Sequence, residues 1–191
     1  MRQILLLSCF LTLCLCSLRL NKADQWRARS IYQVLTDRII TDGRPSLCGE
    51  DLTKYCGGTF KDITNSLDYI KGTLGYDAIY ISPFVENTEN GYHGYWAKNI
   101  YKVNPHFGTE QDLKNLVREA HFRDIFVMID VVFNHIGYVK NDDFSDIVPF
   151  NEAKHYHQPC DITDDDFKND NRERIETCRL FGLPDINTES E

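Results

Sequence analysis

The sequence has no excess of positive charge and no sign of low complexity. Its 191 residues include 21 Lys and Arg against 29 Asp and Glu, which gives a formal net charge of −8. Nucleic-acid binding relies on clustered Lys and Arg, so we expect no nucleic-acid partner. Hydrophobic residues make up 42% of the chain and charged residues 26%, a composition typical of globular proteins that excludes the disordered class.

The chain also lacks the length of a complete (β/α)₈ barrel, which takes about 250 residues. Its 191 residues fit one domain, or one domain plus a fragment. The sequence contains no Asn-x-Ser/Thr sequon, so N-glycosylation of this segment is not expected.

No apolar run reaches the roughly 20 residues that a transmembrane helix needs. The longest, residues 4–15 (ILLLSCFLTLCL), follows Arg2 and gives way to small residues and then to Arg19. This pattern is typical of a secretory signal peptide. We predict a signal peptide at residues 1–16, cleaved near residues 16–18, with a short signal anchor as the alternative. The mature protein is then expected to be secreted, or to occupy a digestive or lysosomal lumen, with no membrane anchor.

Three of the seven cysteines lie in the predicted signal peptide, and four remain in the mature chain. In an oxidising compartment four cysteines indicate two disulfides, with three possible connectivities. Pairing of nearest neighbours would close two separate loops. A metal site at His155, His157 and Cys160 is the alternative. The four cysteines are Cys48, Cys56, Cys160 and Cys178.

Segments with strand character alternate with segments of helical periodicity. Residues 30–35, 78–81 and 125–133 are rich in β-branched, aromatic or other apolar side chains. Between them, Thr59 and Thr109 each precede an Asp by three residues, which is the pattern of a helix N-cap. Strands separated by helices predict a parallel sheet of βαβ units. The third strand is almost continuously apolar, which predicts burial on both faces.

Two segments of the chain show no such module. A polar loop is predicted between the second strand and Gly108. Residues 134–181 contain no clear strand–helix unit, and a stretch of that length is typical of a functional loop or a small inserted domain. Within it, residues 161–170 (DITDDDFKND) are predicted to form a solvated acidic loop. Metal binding there is the less favoured alternative, because the spacing and central glycine of an EF-hand are absent.

Three clusters of polar and aromatic residues follow predicted strands, where parallel α/β folds bind their ligands. Residues 92–96 (YHGYW) could stack on sugar rings and bond hydroxyls, or could simply pack against their own fold. Residues 130–135 (DVVFNH) include an Asp that burial would make costly without a partner, so a structural role is the alternative there. Residues 183–187 (LPDIN) alone would pass for a turn.

Taken in order, five segments closely resemble the N-terminal part of secreted α-amylases of the fungal type, in glycoside hydrolase family 13. The resemblance runs from about Trp26 to Asn187. It departs mildly from the family pattern at Asn187, where an acid is common, and at Phe133, where a smaller residue is common. The five segments are residues 30–38 (SIYQVLTDR), 54–59 (KYCGGT), 92–96, 130–135 and 183–187.

The resemblance implies the N-terminal part of a (β/α)₈ TIM barrel, with a small irregular domain inserted after strand 3. Residues 26–133 would form the first three β/α modules, residues 134–181 an inserted calcium-binding loop domain, and residues 182–191 the return toward the barrel. It also implies the disulfides Cys48–Cys56 and Cys160–Cys178. The protein is expected to be a monomer.

The resemblance assigns roles to individual residues. His93, Tyr95, Trp96 and His135 would line the sugar-binding subsite at the scissile bond. Asp130 would support the active site from beneath without doing the chemistry. A structural Ca²⁺ would take oxygen ligands from the side chains of Asn134, Glu176 and Asp185.

The catalytic carboxylates of the family are missing from the sequence. A retaining glycosidase needs a carboxylate nucleophile and a carboxylic acid roughly 5 Å apart. In this family the nucleophile lies in a Gly-x-Arg-x-Asp motif, which does not occur in these 191 residues. We therefore expect the N-terminal fragment of an enzyme that cleaves internal α-1,4 links in starch or glycogen, inactive by itself. The alternatives are a non-catalytic secreted carbohydrate- or calcium-binding protein, and a related α-glucosidase or transglycosylase.

Overall fold

The computed structural model describes residues 22–189, so the predicted signal peptide lies outside the described residues. Single turns of 3₁₀ helix occur at Thr36–Arg38, Lys140–Asp142 and Ala153–His155. The helices are α1 (Lys22–Arg27), α2 (Phe60–Asp68, continued by a π-helical turn at Tyr69–Thr73), α3 (Glu110–Phe122), α4 (Asp164–Lys168) and α5 (Arg172–Thr177). The strands are β1 (Ile31–Val34), β2 (Ala78–Ile81), β3 (Val85–Asn87), β4 (Ala97–Val103) and β5 (Phe126–Ile129).

The main sheet is parallel and has the strand order β1-β2-β5. Its register pairs Ile31 with Ala78, and Ala78 with Phe126, so all three strands end at the same edge. Helix α2 lies between the first two strands in sequence, and α3 precedes the third. The predicted parallel sheet of strand–helix modules is confirmed.

The two long helices begin at the predicted threonines. The Thr59 hydroxyl accepts a hydrogen bond from the Asp62 N–H, and the Asp62 carboxylate accepts one from the Thr59 N–H, which completes a capping box. Thr109 and Asp112 form the same box at α3. Both helices face the sheet with apolar side chains, and the resulting core includes Phe60, Ile63, Leu67, Ile79, Ile81, Leu116 and Ala120, none of them exposed.

The predicted polar loop before Gly108 is wrong, because β3 and β4 form an antiparallel hairpin there. The hairpin is stabilised by neighbours distant in sequence: the Gly137 N–H donates to the Ala97 carbonyl, and the Val148 N–H to the Lys98 carbonyl. Because these partners lie far along the chain, the residues of the hairpin themselves give no sequence pattern that predicts it.

The prediction that the third strand is buried on both faces is also wrong. The strand ends at Ile129, which is 38% exposed, and the following Val131 and Phe133 are 58% and 75% exposed. The reason is position, since β5 is an edge of the sheet formed by the described residues and only β2 pairs with it.

Residues 134–189 fold around a small apolar cluster of Ile136, Phe144, Ile147 and Tyr156. Isolated bridges rather than strands connect this segment, including His135 to Asp185 and Tyr156 to Ile186. Its acidic stretch is not wholly solvated: Thr163 caps α4, and the Asp166 side chain that completes the cap is only 8% exposed.

Both disulfides join nearest neighbours, Cys48 to Cys56 and Cys160 to Cys178. The pairing implied by the resemblance is confirmed. The alternative metal site with His155 and His157 is wrong, because the Cys160 sulfur is bonded to Cys178 and has no thiolate to offer a metal. No helix within residues 22–189 has the length and apolarity to cross a membrane.

Candidate substrate-binding site

The carboxylate of Asp130 lies at the carboxyl end of β5 and is held by phenols from two other segments. The Tyr95 hydroxyl donates to Asp130 Oδ2 at 2.6 Å. This hydrogen bond is the main reason that the pKa of Tyr95 rises to about 12. A hydrogen bond from Tyr80 on β2 to Asp130 likewise raises the pKa of Tyr80. Both phenols therefore remain protonated donors, and the partners that the sequence required for Asp130 are present.

Tyr95 reaches Asp130 from the loop that connects β3 to β4, which is closed at its base. Asn87 Oδ1 accepts the Trp96 N–H at 2.7 Å, and the Thr88 N–H donates to the Trp96 carbonyl at 2.8 Å, which closes the loop at its base. Gly94 has a φ of 88°, and a Cβ there would lie 2.2 Å from the Pro83 carbonyl oxygen. Only glycine therefore fits at the position that turns the chain back toward the sheet.

The aromatic side chains of this loop pack against one another around His93. Its ring stacks on Tyr95 with centroids 5.5 Å apart, and meets Trp96 edge-to-face at 4.7 Å. Trp96 in turn meets Tyr138 edge-to-face at 4.9 Å. The loop therefore packs against its own fold, as the alternative interpretation required, and still presents Tyr95, which is 37% exposed.

Hydrogen bonds set the tautomer of the His93 imidazole. Its Nδ1 accepts the Tyr95 N–H at 3.0 Å, so the proton of the neutral ring lies on Nε2. Burial lowers the pKa of His93, and the positive charge of Arg38 and the nearby His135 lower it further. A neutral His93 therefore has one free donor with which to bind a hydroxyl group.

His135 connects the loop to the end of β5. Its Nε2 lies 3.2 Å from the Tyr95 carbonyl oxygen and must donate there, so Nδ1 accepts from the Asn134 side-chain amide, also at 3.2 Å. Burial lowers the pKa of His135 as well. The structure thus brings His93, Tyr95, Trp96, Asp130 and His135 into one cluster.

A cleft of about 700 Å³ opens next to this cluster and is lined by residues 130–133, which follow the carboxyl end of β5. Asp130 and His135 line it, whereas His93, Tyr95 and Trp96 do not. Most of its other lining side chains are apolar, including Val131 and Phe133. We assign the candidate site to the aromatic and polar cluster and not to the centre of this cleft, because sugar hydroxyls need hydrogen-bonding partners.

The predicted calcium ligands are only partly brought together. Asn134 and Asp185 lie close together in the backbone. The Ile186 N–H donates to the Asn134 carbonyl, and an isolated antiparallel β-bridge pairs His135 with Asp185. The Asp185 side chain is 5% exposed, and its Oδ2 lies 2.6 Å from His157 Nδ1. Glu176 lies on α5 and is exposed. Within residues 22–189, no group of three or more His, Cys, Asp or Glu side chains is arranged to hold a metal ion.

The chemistry of two of these residues nevertheless fits an oxygen-binding cation. The Asn134 amide nitrogen faces His135, so its carbonyl oxygen stays available as a ligand. Asp185 offers a buried carboxylate beside an imidazole, and oxygen atoms of these two kinds are the ligands that Ca²⁺ prefers.

Two residues that act on the cluster from outside it were missed by sequence reasoning: Tyr80 beside Asp130 and Arg38 near His93. Tyr80 alternates with apolar residues in β2, and Arg38 follows β1 in the segment TDR. Because side chains alternate along a strand, Tyr80 and its neighbours Ile79 and Ile81 are predicted to point to opposite faces. The position of Arg38 after a strand end could have marked it as a candidate site residue. Neither pattern reveals which partner the side chain meets.

Comparisons with known proteins agree with one another. A family model described as the catalytic domain of alpha amylase matches residues 22–173. An alpha-amylase from Saccharomycopsis fibuligera is 44% identical over 186 residues, which cover 90% of this chain and 37% of that protein. Alpha-amylase 2 from Schizosaccharomyces pombe is 38% identical over 187 residues, which cover 90% of this chain and 32% of that protein.

Solved structures give the same result. An alpha-amylase structure from Malbranchea cinnamomea has a TM-score of 0.80 and 42% identity, over 89% of this chain and 38% of that one. The alpha-amylase of Geobacillus thermoleovorans, solved with acarbose, has a TM-score of 0.72 and 38% identity, over 86% of this chain and 34% of that one. The chain spans about a third of the length of the curated relatives that it matches.

Proposed function

The chain belongs to the alpha-amylase family of glycoside hydrolases, and from that membership we propose that it forms the N-terminal part of an enzyme that cleaves internal α-1,4-glucosidic bonds in starch or glycogen. The sheet β1-β2-β5 with its helices is the N-terminal part of the family's (β/α)₈ barrel. Relatives named as alpha-amylases are 38–44% identical to the chain, whereas a structure named as a cyclomaltodextrin glucanotransferase is 29% identical. Hydrolysis is therefore the preferred reaction.

The observation that carries the proposal is the Tyr95–Asp130 hydrogen bond at the carboxyl edge of the sheet. It fixes an aromatic ring beside two neutral imidazoles, His93 and His135. A sugar ring would stack on the tyrosine while its hydroxyls accept from the His93 Nε2–H. Trp96 extends the aromatic surface. We propose that this cluster binds one glucosyl unit of an α-glucan at the bond to be cleaved.

Asp130 is proposed as a support and not as the nucleophile. Its carboxylate already accepts a hydrogen bond from the Tyr95 phenol and interacts with the Tyr80 phenol, which suits an anchored supporting role. Among the described residues that line the neighbouring cleft, Asp130 is the one carboxylate, and retention of configuration requires two. We propose that the nucleophile and the general acid are supplied by parts of a longer protein, of the length seen in the relatives.

We further propose that residues 134–181 form the inserted domain of the family and that Asn134, Glu176 and Asp185 hold Ca²⁺ between it and the barrel. A bound cation would attract the oxygens of these three side chains and thereby hold the segment around Asp185 near Asn134, beyond the end of β5. In the complete protein, Asp185→Ala is expected to weaken calcium binding at least tenfold by titration calorimetry. The substitution Asp185→Glu keeps the charge and serves as the matched control. Unchanged affinity after Asp185→Ala would remove this assignment.

The remaining proposals concern location and partners. The Cys48–Cys56 and Cys160–Cys178 disulfides favour an oxidising environment, so we propose secretion after removal of the signal peptide, or residence in a digestive or lysosomal lumen. We propose an α-glucan as the partner because of the family membership, and the net charge of −8 disfavours a nucleic acid. A monomer with no membrane anchor is proposed.

The decisive experiment is product analysis with the complete protein on starch and on short maltosides. Internal cleavage should release a range of maltooligosaccharides from starch, and His93→Ala should lower kcat/KM while His106→Ala, outside the cluster, should not. Release of glucose from chain ends only would favour an α-glucosidase, and new linkages would favour a transglycosylase. Binding of glucan without any cleavage would favour the non-catalytic carbohydrate-binding protein. The 191-residue chain by itself is expected to be inactive on starch.

A further inference from the structure

Arg38 forms a junction between the disulfide loop, defined as residues 47–57, and the candidate site. Its Nη2 donates to the Leu52 carbonyl at 2.7 Å and to the Lys54 carbonyl at 3.2 Å. Its Nε lies 2.9 Å from Asp37 Oδ2. The guanidinium carbon also lies 3.9 Å from the centroid of the Tyr92 ring, over its face. One side chain therefore contacts a loop, a buried acid and an aromatic ring.

Several contacts hold the loop side of this junction. Asp37 is fully buried, and its carboxylate accepts the Cys56 N–H at 2.8 Å and the Gly57 N–H at 3.2 Å. The Cys48–Cys56 disulfide closes the loop from the other end. Gly58 follows with no room for a side chain, since a Cβ would lie 2.2 Å from the Thr36 carbonyl oxygen. The base from which Arg38 extends is thus held in place by several independent contacts.

The ring side of the junction leads directly to the site. Tyr92 meets the neighbouring His93 ring edge-to-face, with centroids 4.9 Å apart. The Tyr95 N–H also holds His93, because it donates to Nδ1. The imidazole is therefore held by a hydrogen bond and by contact with a ring whose face Arg38 covers. The guanidinium is attracted to the face of Tyr92 by the negative charge of the π-system.

We propose that Arg38 is a positioning residue: it holds Tyr92 against His93 and thereby fixes the direction in which the His93 imidazole meets a glucosyl unit. This inference rests on the proposed function. Arginine suits the task because its planar group can stack on a ring while its edges bond carbonyls, which an ammonium group cannot do simultaneously. The disulfide loop, which lies outside the candidate site, then contributes to substrate binding through a single side chain.

The test uses the complete enzyme with Arg38→Met, Arg38→Lys and Tyr92→Leu. Arg44→Met is the matched control, because Arg44 Nη2 donates to the Gly57 carbonyl at 2.7 Å and so anchors the same loop. Arg44 and Arg38 have similar side-chain exposure, 32% and 25%. The contacts of Arg44 lead to Asp42 and Asp62 and not to the aromatic cluster. Kinetics on maltoheptaose and the NMR signals of the His93 ring are recorded for each variant.

Arg38→Met and Tyr92→Leu should each lower kcat about tenfold with KM changed less than about twofold, because a misdirected group loses transition-state contacts first. Both should shift the His93 ring signals. Arg38→Lys should lower kcat about half as much as Arg38→Met on a logarithmic scale. Lysine keeps a positive charge near the Tyr92 ring but cannot keep both hydrogen bonds to the Leu52 and Lys54 carbonyls. Arg44→Met should leave kcat and the His93 signals as in the unmodified enzyme.

Unchanged kcat and unchanged His93 signals in Arg38→Met would overturn the inference. Equal losses in Arg44→Met and Arg38→Met would also overturn it, because they would show that only the stability of the disulfide loop matters. Failure of the proposed function is recognised separately: the unmodified enzyme would then not cleave maltoheptaose at all. In that case the His93 signals still report whether Arg38 holds the ring.

Discussion

Residues 31–129 and residues 134–189 are ordered by different means. The first region is built on regular strands and helices whose core includes Phe60 and Ile63, both fully buried. The second has a smaller apolar cluster, isolated bridges, two helices of five and six residues, and the Cys160–Cys178 disulfide. A short segment buries less apolar surface to offset its conformational entropy, so polar contacts contribute more to its order, whereas each region contains one disulfide. The candidate site lies where the two regions meet, at Tyr95 and His135.

The largest effect is expected from a cavity in the first region. Phe60 is fully buried and meets Phe107 edge-to-face at 6.0 Å. Phe60→Ala should lower the free energy of unfolding by about 4 kcal/mol, through lost burial and the cavity left behind. Ile63→Val, in the same helix, should cost only about 1 kcal/mol. Chemical denaturation followed by circular dichroism measures both. A loss below that of Ile63→Val would contradict the assignment of Phe60 to the main core.

The next largest effect is expected from the disulfide of the second region. Replacing Cys160 and Cys178 together by Ser should destabilise residues 134–189 by about 3 kcal/mol, since the link closes a sequence separation of 18. Hydrogen exchange should accelerate at the Ile136 and Tyr156 amides and stay slow at Ile79. Equal acceleration at all three amides would show that the two regions unfold as one unit.

A smaller effect is expected where the regions meet. Tyr95→Phe removes the donor to Asp130 and leaves a charged acceptor short of a partner, so glucan affinity of the complete enzyme should fall about tenfold. Tyr101→Phe is the matched control, because Tyr101 is 74% exposed on β4. Titration calorimetry with a maltooligosaccharide measures both affinities. Equal affinities for the two variants would exclude the Tyr95 hydroxyl from the site.

The smallest effect is a difference in acid sensitivity between the helix caps of the two regions. Hydrogen bonds from Thr163, followed by contacts with Arg174, lower the pKa of Asp166 to about 2. The ordinary pKa of Asp is about 3.9, so the charged cap stabilises α4 above about pH 4 and this contribution is lost as the pH falls toward 2.

In α2, burial raises the pKa of Asp62, but hydrogen bonds from Arg44 and Thr59 outweigh it and hold the pKa well below its ordinary value. On acidification α4 should lose amide protection before α2 does, because α2 also packs Ile63 and Leu67 into the main core. Hydrogen exchange between pH 5 and pH 2 measures this order, and Asp166→Asn should remove the dependence in α4. Simultaneous loss in both helices would contradict the assignment of the caps.

Several features could be predicted from the sequence because their causes are local. The capping pairs Thr59–Asp62 and Thr109–Asp112 lie three residues apart, so their reciprocal hydrogen bonds depend only on the start of a helix. The observed disulfide pairing was implied by the family resemblance, since the four cysteines alone left three connectivities open. The order of five short segments was sufficient to indicate the family that the comparisons establish.

Other features could not be predicted because their causes lie elsewhere in the chain. The β3–β4 hairpin depends on backbone partners at Gly137 and Val148. The exposure of Val131 and Phe133 depends on which strands pair with β5, and their apolar character alone predicted burial. The calcium ligands and the sugar-contacting roles stay predictions that the proposed experiments address.

By itself the sequence determined the strand–helix alternation and the helix starts, which follow from residue types at short, fixed spacings. The order of five segments indicated the family, and that resemblance implied the disulfide partners. Only the tertiary structure decided that Tyr95 meets Asp130, 35 residues away, and that Arg38 meets Tyr92 across the disulfide loop. Bringing two residues that are far apart in sequence into contact costs conformational entropy of the chain between them. That entropy is offset by packing of the whole core, so local sequence patterns do not reveal such contacts.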